Sequence, residues 1–142
     1  ASGRIVFTGY VDDRLRAALL TGATALLYPS MFEGFGLPLL EAMAIGTPVL
    51  SSVSTSMPEV LGDCGYYFDP YSIPSLNAAF RQLQSDRASG VVEAMTESAR
   101  LRAADFSYDK TYSVILDGLF PGYRSERRTE TASCGQVRQG TP

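Results

Sequence analysis

Two glutamates, Glu33 and Glu41, lie eight positions apart in the segment SMFEGFGLPLLEAMAIGTPVL. Gly34, Phe35 and Gly36 stand between them, and an apolar run follows. A glycine loop that leads into a helix presents free backbone N–H groups, and the helix dipole adds partial positive charge at the same place. Such a terminus favours an anion such as a phosphate or a polarised sugar oxygen. The segment therefore predicts an anion-binding helix N-terminus flanked by two carboxylates.

The two carboxylates need partners other than the anion. An ionised carboxylate accepts hydrogen bonds and donates none, so neighbouring hydroxyl groups suit it. Glu41 follows Leu37 by one helical turn, near the buried stripe of the helix, where a ribose 2′,3′-diol would fit. Glu33, in the loop, could accept from hexose hydroxyls or stabilise positive charge that develops at an anomeric carbon. A capping glutamate and a solvated loop glutamate are the alternative explanation of the same pair.

The elements that must position these residues alternate between short apolar runs and helical segments. Apolar strands without a polar face are typical of a parallel sheet covered by helices on both sides. We therefore expect an α/β, Rossmann-like fold with about four parallel strands, whose ligands bind outside the carboxyl ends of the strands. The predicted strands are IVF (5–7), TALLYPS, TPVLSS and GYYFDP, and the predicted helices are VDDRLRAALLTGA, LPLLEAMAIG, SMPEVLG, SIPSLNAAFRQLQSD, GVVEAMTESARLRAADF and YDKTYSVILDGLF.

Composition excludes several classes of function. With 45% hydrophobic and 19% charged residues in 142, the chain is expected to form one packed domain, and a net charge of −3 gives no global attraction to nucleic acid. The absence of histidine excludes Ser-His-Asp and Cys-His nucleophile sites and histidine-based zinc sites within this sequence. Cys64 and Cys134 lack metal-ligand spacing. A reducing cytoplasm is the default compartment. The polar segment 124–142 is predicted to be a disordered tail.

The segment YPSMFEGFGLPLLEAMAIGTPVLSS resembles the signature of retaining glycosyltransferases with the GT-B fold, the "glycosyl transferases group 1" family. The resemblance extends from IVFTGYV to PEVLGDCGYYFDP and covers roughly residues 4–123. It implies that residues 1–123 form part of the C-terminal, nucleotide-sugar-binding domain of a GT-B fold. The family transfers a hexose from a nucleoside diphosphate sugar to an acceptor with retained anomeric configuration. It usually needs no bound metal ion, and no other cofactor is expected.

The resemblance also implies roles for single residues. Glu33 would contact the donor sugar as the catalytic residue, and Glu41 would hold the ribose hydroxyls. Backbone groups of the loop 34–36 would bind the sugar and the diphosphate, and Leu37 would pack near the nucleoside. The nucleobase would be lined by the segment after the first strand, namely Gly9, Tyr10 and Val11. Glu59 matches a family position to which no role is assigned.

Charge balance indicates that this sequence holds only part of a donor site. A diphosphate carries at least two negative charges, whereas a helix terminus supplies roughly half a positive charge. Arg14 and Arg16 start a helix near the appropriate face, but both are expected to point to solvent. The resemblance places the diphosphate-binding Arg and Lys, and the whole acceptor domain, on segments before residue 1. We therefore expect an excised or truncated piece, or the product of a broken gene, that is inactive by itself and self-associates through an exposed edge at Ile5–Phe7.

The expected partners are a nucleotide-sugar donor and, through the missing N-terminal domain, a carbohydrate or lipid-linked acceptor, with no nucleic acid. The expected location is the cytoplasm, at the inner face of the membrane in a full-length protein. Two alternatives remain: a non-catalytic nucleotide-sugar-binding remnant or subunit fragment that needs another chain, and a GT-B relative such as a sugar epimerase. The segment EGFGLPLLEAMAIG argues against the epimerase. The donor base, the hexose and the acceptor are left open.

Overall fold

The computed structural model describes residues 5–119, with the side chains of residues 116–118 excepted. The chain divides into two units, Ala1–Ser107 and Tyr108–Pro142. The second unit is described by one helix, α6 (Tyr108–Leu119). In chain order the first unit contains α1 (Asp13–Gly22), β1 (Leu26–Tyr28), α2 (Leu37–Ile45), β2 (Val49–Ser52), α3 (Met57–Leu61), β3 (Tyr66–Phe68), α4 (Ile73–Ala88) and α5 (Val91–Ala103).

The sheet is parallel, with the order β1-β2-β3. One face packs against α2, α3 and the Ala99 end of α5, and the other face packs against α4 and the Val92 end of α5. The core is divided into two clusters because successive side chains of a strand point to opposite faces of the sheet. Val49 of β2 faces the first cluster, and its neighbour Leu50 faces the second. The prediction of an α/β fold with a parallel sheet and flanking helices is confirmed.

The predicted first strand is not formed. Ile5, Val6 and Phe7 have no strand geometry and are 81%, 71% and 93% exposed, so residues 5–119 contain three strands rather than about four. An apolar run becomes a strand only where a neighbouring backbone satisfies its N–H and C=O groups, and β1 pairs only with β2 within the described residues. Self-association through this part of the chain stays a prediction.

Local capping residues of the sequence mark the helix boundaries. The Asp12 carboxylate accepts a hydrogen bond of 2.7 Å from the Leu15 amide at the start of α1. Pro38 lies in the first turn of α2, and Gly46 ends that helix with a left-handed φ of 88°. These local signals placed both ends of α2, the helix that carries Glu41.

The later helices were predicted as α4, α5 and α6, and all three are present. The predicted domain boundary between residues 123 and 124 and the predicted tail 124–142 lie outside the described residues. Within residues 5–119, no helix combines the length and apolarity needed to cross a membrane.

Candidate functional site

The loop 29–36 joins the carboxyl end of β1 to the first turn of α2. Two side chains that follow or end β2 hold it in place. The Ser52 hydroxyl donates to the carbonyl of Ser30, and the Glu33 amide donates to the Thr55 hydroxyl at 3.3 Å. The loop therefore lies at the carboxyl edge of the sheet, where parallel α/β folds bind their ligands.

The backbone N–H groups at the start of α2 are available. Among residues 5–119, none accepts a hydrogen bond from the amides of Gly34, Phe35, Gly36 or Leu37. The first bonded amide of this turn is that of Leu39, which donates to the Gly36 carbonyl at 3.0 Å. This helix terminus can therefore donate several hydrogen bonds to an oxygen-rich anion.

The two glycines of the loop differ in what requires them. Gly36 has a φ of 92°, and a Cβ there would come within 2.8 Å of the Met57 methyl carbon, so the protein itself requires glycine at this position. Gly34 has no atom within 4 Å of the position that a Cβ would take, and its φ is not in the left-handed range. Gly34 therefore has open space beside it, whereas Gly36 is fixed by packing.

Glu33 is held by its own chain. Its Oε1 accepts a hydrogen bond of 2.7 Å from the Tyr28 hydroxyl and one of 3.3 Å from the Ser30 hydroxyl. Burial, together with this hydrogen bond to Glu33, raises the pKa of Tyr28 to about 12. The phenol consequently remains a donor at neutral pH. Glu33 as a whole residue is half-buried.

Glu41 forms an ion pair. Its Oε2 lies 2.9 Å from Nε of Arg16 on α1, and the two side chains are 37% and 45% exposed. Arg16 also contacts Asp13 at 3.2 Å. Arg16 is exposed, as predicted, but it also pairs with Glu41, because α1 packs beside α2 and brings the guanidinium within reach of the carboxylate. Glu41 is thus neither sealed in the core nor turned into bulk water.

The two apolar residues of the predicted site are arranged differently. The Phe35 ring meets the Phe106 ring edge to face, with centroids 5.9 Å apart, so its side chain packs on the protein and its backbone is left for a ligand. Leu37, at the first position of α2, is 55% exposed. An apolar side chain this accessible beside free amides can pack on the flat face of a ligand.

The predicted nucleobase segment lies before α1. Gly9 has a left-handed φ of 63°, Tyr10 is 96% exposed and Val11 is half-buried. Within residues 5–119, no hydrogen bond, ion pair or ring contact joins this segment to the loop 29–36. The structure brings Glu33, the loop amides and the first turn of α2 together, and the role of residues 9–11 beside a nucleobase stays a prediction.

Four residues that hold the site were not identified from the sequence: Tyr28, Ser30, Thr55 and Arg16. A polar-tipped tyrosine at the carboxyl end of an apolar strand is a signal that could have drawn attention to Tyr28. Thr55, in contrast, reaches Glu33 across 22 positions and has a positive φ of 47°, which no local pattern indicates for a threonine. Such contacts between distant segments are set by strand order and not by spacing.

Within residues 5–119, a parallel sheet, a glycine loop, a helix N-terminus with unbonded amides and two carboxylates define an α/β protein of the open-sheet class, in which the carboxyl ends of the strands are the usual place for a ligand. The sequence profile of the family described as "Glycosyl transferases group 1" matches residues 1–102. The chain belongs to this family of glycosyltransferases, and the resemblance inferred from the motif is confirmed.

Characterised proteins and solved structures agree with this assignment. The chain is 41% identical over 107 residues to O-antigen chain mannosyltransferase B of Escherichia coli, which covers 75% of this chain and 28% of that protein. It is 37% identical over 102 residues to MMP alpha-(1->4)-mannosyltransferase of Mycolicibacterium hassiacum, covering 69% of this chain and 24% of that protein. Its structure resembles sucrose-phosphate synthase from Thermosynechococcus elongatus with a TM-score of 0.69 and 25% identity, covering 82% of this chain and 29% of that one. The chain thus spans less than a third of the length of each.

Proposed function

We propose that this chain supplies the donor-binding part of a hexosyltransferase, which transfers a hexose from a nucleoside diphosphate sugar to a glycan or lipid-linked acceptor with retention of anomeric configuration. Mannose is the first candidate hexose, because the similar proteins of Escherichia coli and Mycolicibacterium hassiacum are both named mannosyltransferases. The observation that carries the proposal is the group of unbonded amides at the start of α2, flanked by two accessible carboxylates.

The proposed roles follow from the chemistry of each group. The amides of the loop 34–36 and the dipole of α2 bind the diphosphate, where their partial positive charge is useful. Glu41 accepts hydrogen bonds from the ribose hydroxyls, which are donors that an ionised carboxylate can use. Glu33 contacts the hexose and stabilises positive charge that develops at its anomeric carbon, since a carboxylate close to that carbon lowers the energy of the transition state.

The described cations do not neutralise a diphosphate at this site. Arg16 pairs with Glu41 and Asp13. Three other arginines donate to backbone carbonyls outside the loop 29–36: Arg87 to Thr24, Arg100 to Ile45, and Arg102 to Val60 and Glu59. We therefore propose that the remaining positive charge is supplied by another part of a longer protein, with no metal ion. The 142-residue chain would then bind donors weakly and turn over none. The proposed location is the cytoplasm, at the inner face of the membrane in a longer protein.

Donor binding tests the proposal directly. Ligand-observed NMR with UDP-glucose, GDP-mannose and ADP-glucose, and with the three nucleoside diphosphates alone, should detect binding of at least one pair. Glu41→Ala should weaken every ligand that contains the ribose, by roughly 1–3 kcal/mol for the loss of hydrogen bonds to a charged group. Glu33→Ala should weaken only the sugar-bearing ligand, because its predicted contact is the hexose.

Two control variants make the result specific. Arg16→Gln removes the ion pair but keeps the Glu41 carboxylate, so it should leave ribose binding in place. Glu93→Ala removes an exposed carboxylate from the first turn of α5 and should have no effect. Unchanged affinity in Glu41→Ala would refute the assignment of that residue. Donor binding without any turnover in a longer protein that contains an acceptor domain would favour the non-catalytic alternative.

A further inference from the structure

Tyr28 and Glu33 form a short hydrogen bond at the carboxyl end of β1. The phenol of Tyr28 donates to Oε1 of Glu33 at 2.7 Å, and Ser30 adds a longer bond of 3.3 Å to the same oxygen. Among residues 5–119, no group donates a hydrogen bond to the second oxygen, Oε2. The carboxylate is therefore tethered through one oxygen and open through the other.

The backbone of Glu33 is fixed as well. Its amide donates to the hydroxyl of Thr55, whose φ of 47° is unusual for a β-branched residue. A strained backbone conformation of this kind persists only where surrounding contacts enforce it. The carbonyl of Ser30, in the same loop, accepts a hydrogen bond from Ser52 of β2. The side chain of Glu33 is thus held by β1 and Ser30, and its main chain by the segment that follows β2.

We propose that Tyr28 is a positioning residue: its hydroxyl holds Glu33 in one rotamer, so that Oε2 faces the hexose of the donor. This inference rests on the function proposed above. Tyr28 suits the task because it belongs to a strand, and strands hold side chains more precisely than loops do. Its raised pKa, about 12, keeps the hydroxyl protonated and donating across the physiological range.

A matched pair of tyrosines allows the inference to be tested. Tyr66 of β3 also donates to a carboxylate, Asp86 of α4, at 3.0 Å, and burial raises its pKa to about 12 too. Tyr28→Phe and Tyr66→Phe each remove the hydroxyl of a tyrosine that is bonded to a carboxylate. Tyr28 is half-buried and Tyr66 is buried. Only the first pair includes a residue of the candidate site, so the second variant reports the structural cost of losing such a bond.

The first measurement is the rotamer of Glu33 in the 142-residue chain without ligand, from NMR couplings across its χ1 and χ2 torsions. The wild-type chain and Tyr66→Phe should show one rotamer, and Tyr28→Phe should show averaging among several. A single unchanged rotamer in Tyr28→Phe would overturn the inference. This measurement needs no donor, so it remains decisive even if the proposed function fails and no nucleotide binds.

The second measurement compares affinities for GDP-mannose and GDP, or for whichever donor and nucleoside diphosphate bind. Tyr28→Phe should lower affinity for the sugar-bearing ligand roughly tenfold or more, the scale of losing one hydrogen bond to a charged group, and leave the affinity for the nucleoside diphosphate unchanged. Tyr66→Phe should change neither. Equal losses for both ligands, or no loss for either, would overturn the inference, because a positioning role must act on the hexose alone.

Discussion

At the scale of single residues, the two glutamates of the motif are held by different kinds of partner. Glu33 accepts hydrogen bonds from the neutral hydroxyls of Tyr28 and Ser30. Glu41 instead forms an ion pair with Arg16, and both of these side chains are partly exposed. Exposed ion pairs contribute only about 0–1 kcal/mol and are screened by salt. The Arg16–Glu41 pair can therefore be broken at little cost, whereas Glu33 is held by two hydrogen bonds from its own chain.

The two loop glycines give a prediction at the same scale. Gly36→Ala should destabilise the protein by about 1–2 kcal/mol for its left-handed backbone, and by more if the Met57 side chain cannot move. Gly34→Ala should leave stability unchanged, because its Cβ would enter open space. Urea unfolding measures both. Donor binding in folded Gly34→Ala should fall if the ligand approaches that backbone, and equal destabilisation by the two variants would contradict the distinction.

At the scale of elements, two arginines of α5 donate hydrogen bonds to carbonyls at the carboxyl ends of two other helices. Arg100 donates to the Ile45 carbonyl at the end of α2 at 2.9 Å. Arg102 donates to the carbonyls of Val60 at 2.7 Å and Glu59 at 2.5 Å in α3. The last carbonyls of a helix lack partners within it and carry partial negative charge, so a guanidinium satisfies both needs. The sequence placed these arginines on a helix but could not show what they bind.

These contacts predict unequal effects of two similar variants. Arg102→Ala should destabilise the protein by about 1.5–3 kcal/mol, because its guanidinium donates two hydrogen bonds, one of them partly buried, and also lies 5.7 Å from the centroid of the Phe106 ring. Arg100→Ala should cost less, since Arg100 makes one hydrogen bond to a helix carbonyl, and both this bond and its 3.4 Å contact with Glu97 are exposed. Urea midpoints would show the difference, and Arg102→Lys, which lacks the planar fork, should not restore full stability. Equal urea midpoints for the two alanine variants would contradict the larger contribution of Arg102 to stability.

At the scale of the first unit, residues up to Ser107, the sheet is covered unevenly. The face toward α2 and α3 is packed along all three strands, whereas the face toward α4 is packed at β2 and β3. Leu27 of β1 is paired in register with buried Leu50 but is itself 49% exposed. Within the described residues, one edge of the sheet is thus β1, and not the predicted segment 5–7. The apolar core lies on both sides of β2, against α2 and α3 on one face and against α4 on the other.

Buried tyrosines give a prediction for stability against pH. Burial raises the pKa of Tyr28, Tyr66 and Tyr67 to about 12, above the ordinary value near 10 of an unfolded chain. A raised pKa in the folded state favours the protonated form, so this stability is fully present below pH 10 and is lost as pH rises toward 12. Urea midpoints measured from pH 8 to pH 12 should therefore fall above pH 10.

The control for this prediction is Tyr66→Phe. It removes one of the three phenols and should reduce the steepness of the loss above pH 10, whatever it does to stability at pH 8. Absorbance at 295 nm should show that phenols of the folded chain ionise late. A urea midpoint that stays constant up to pH 12 would contradict the assignment of these shifts to the folded state.

Local chemistry in the sequence by itself determined much of this protein. The caps at Asp12 and Gly46, the proline at the start of α2, and the apolar runs of β1, β2 and β3 fixed the elements and their parallel arrangement. The glycine motif between the two glutamates indicated the family, which is confirmed. The individual roles of the site residues stay predictions, because no ligand contact tests them.

Only the tertiary structure decided which side chains hold the two glutamates. The Tyr28 hydroxyl donates to the Glu33 carboxylate across the turn of the loop, and Thr55, after β2, accepts from the Glu33 amide. Arg16 of α1 forms an ion pair with Glu41. It also decided that Ile5–Phe7 is not a strand, because a strand depends on a neighbour and not on its own composition. Periodicity and caps act over a few residues, whereas these outcomes depend on which distant segments the fold places side by side.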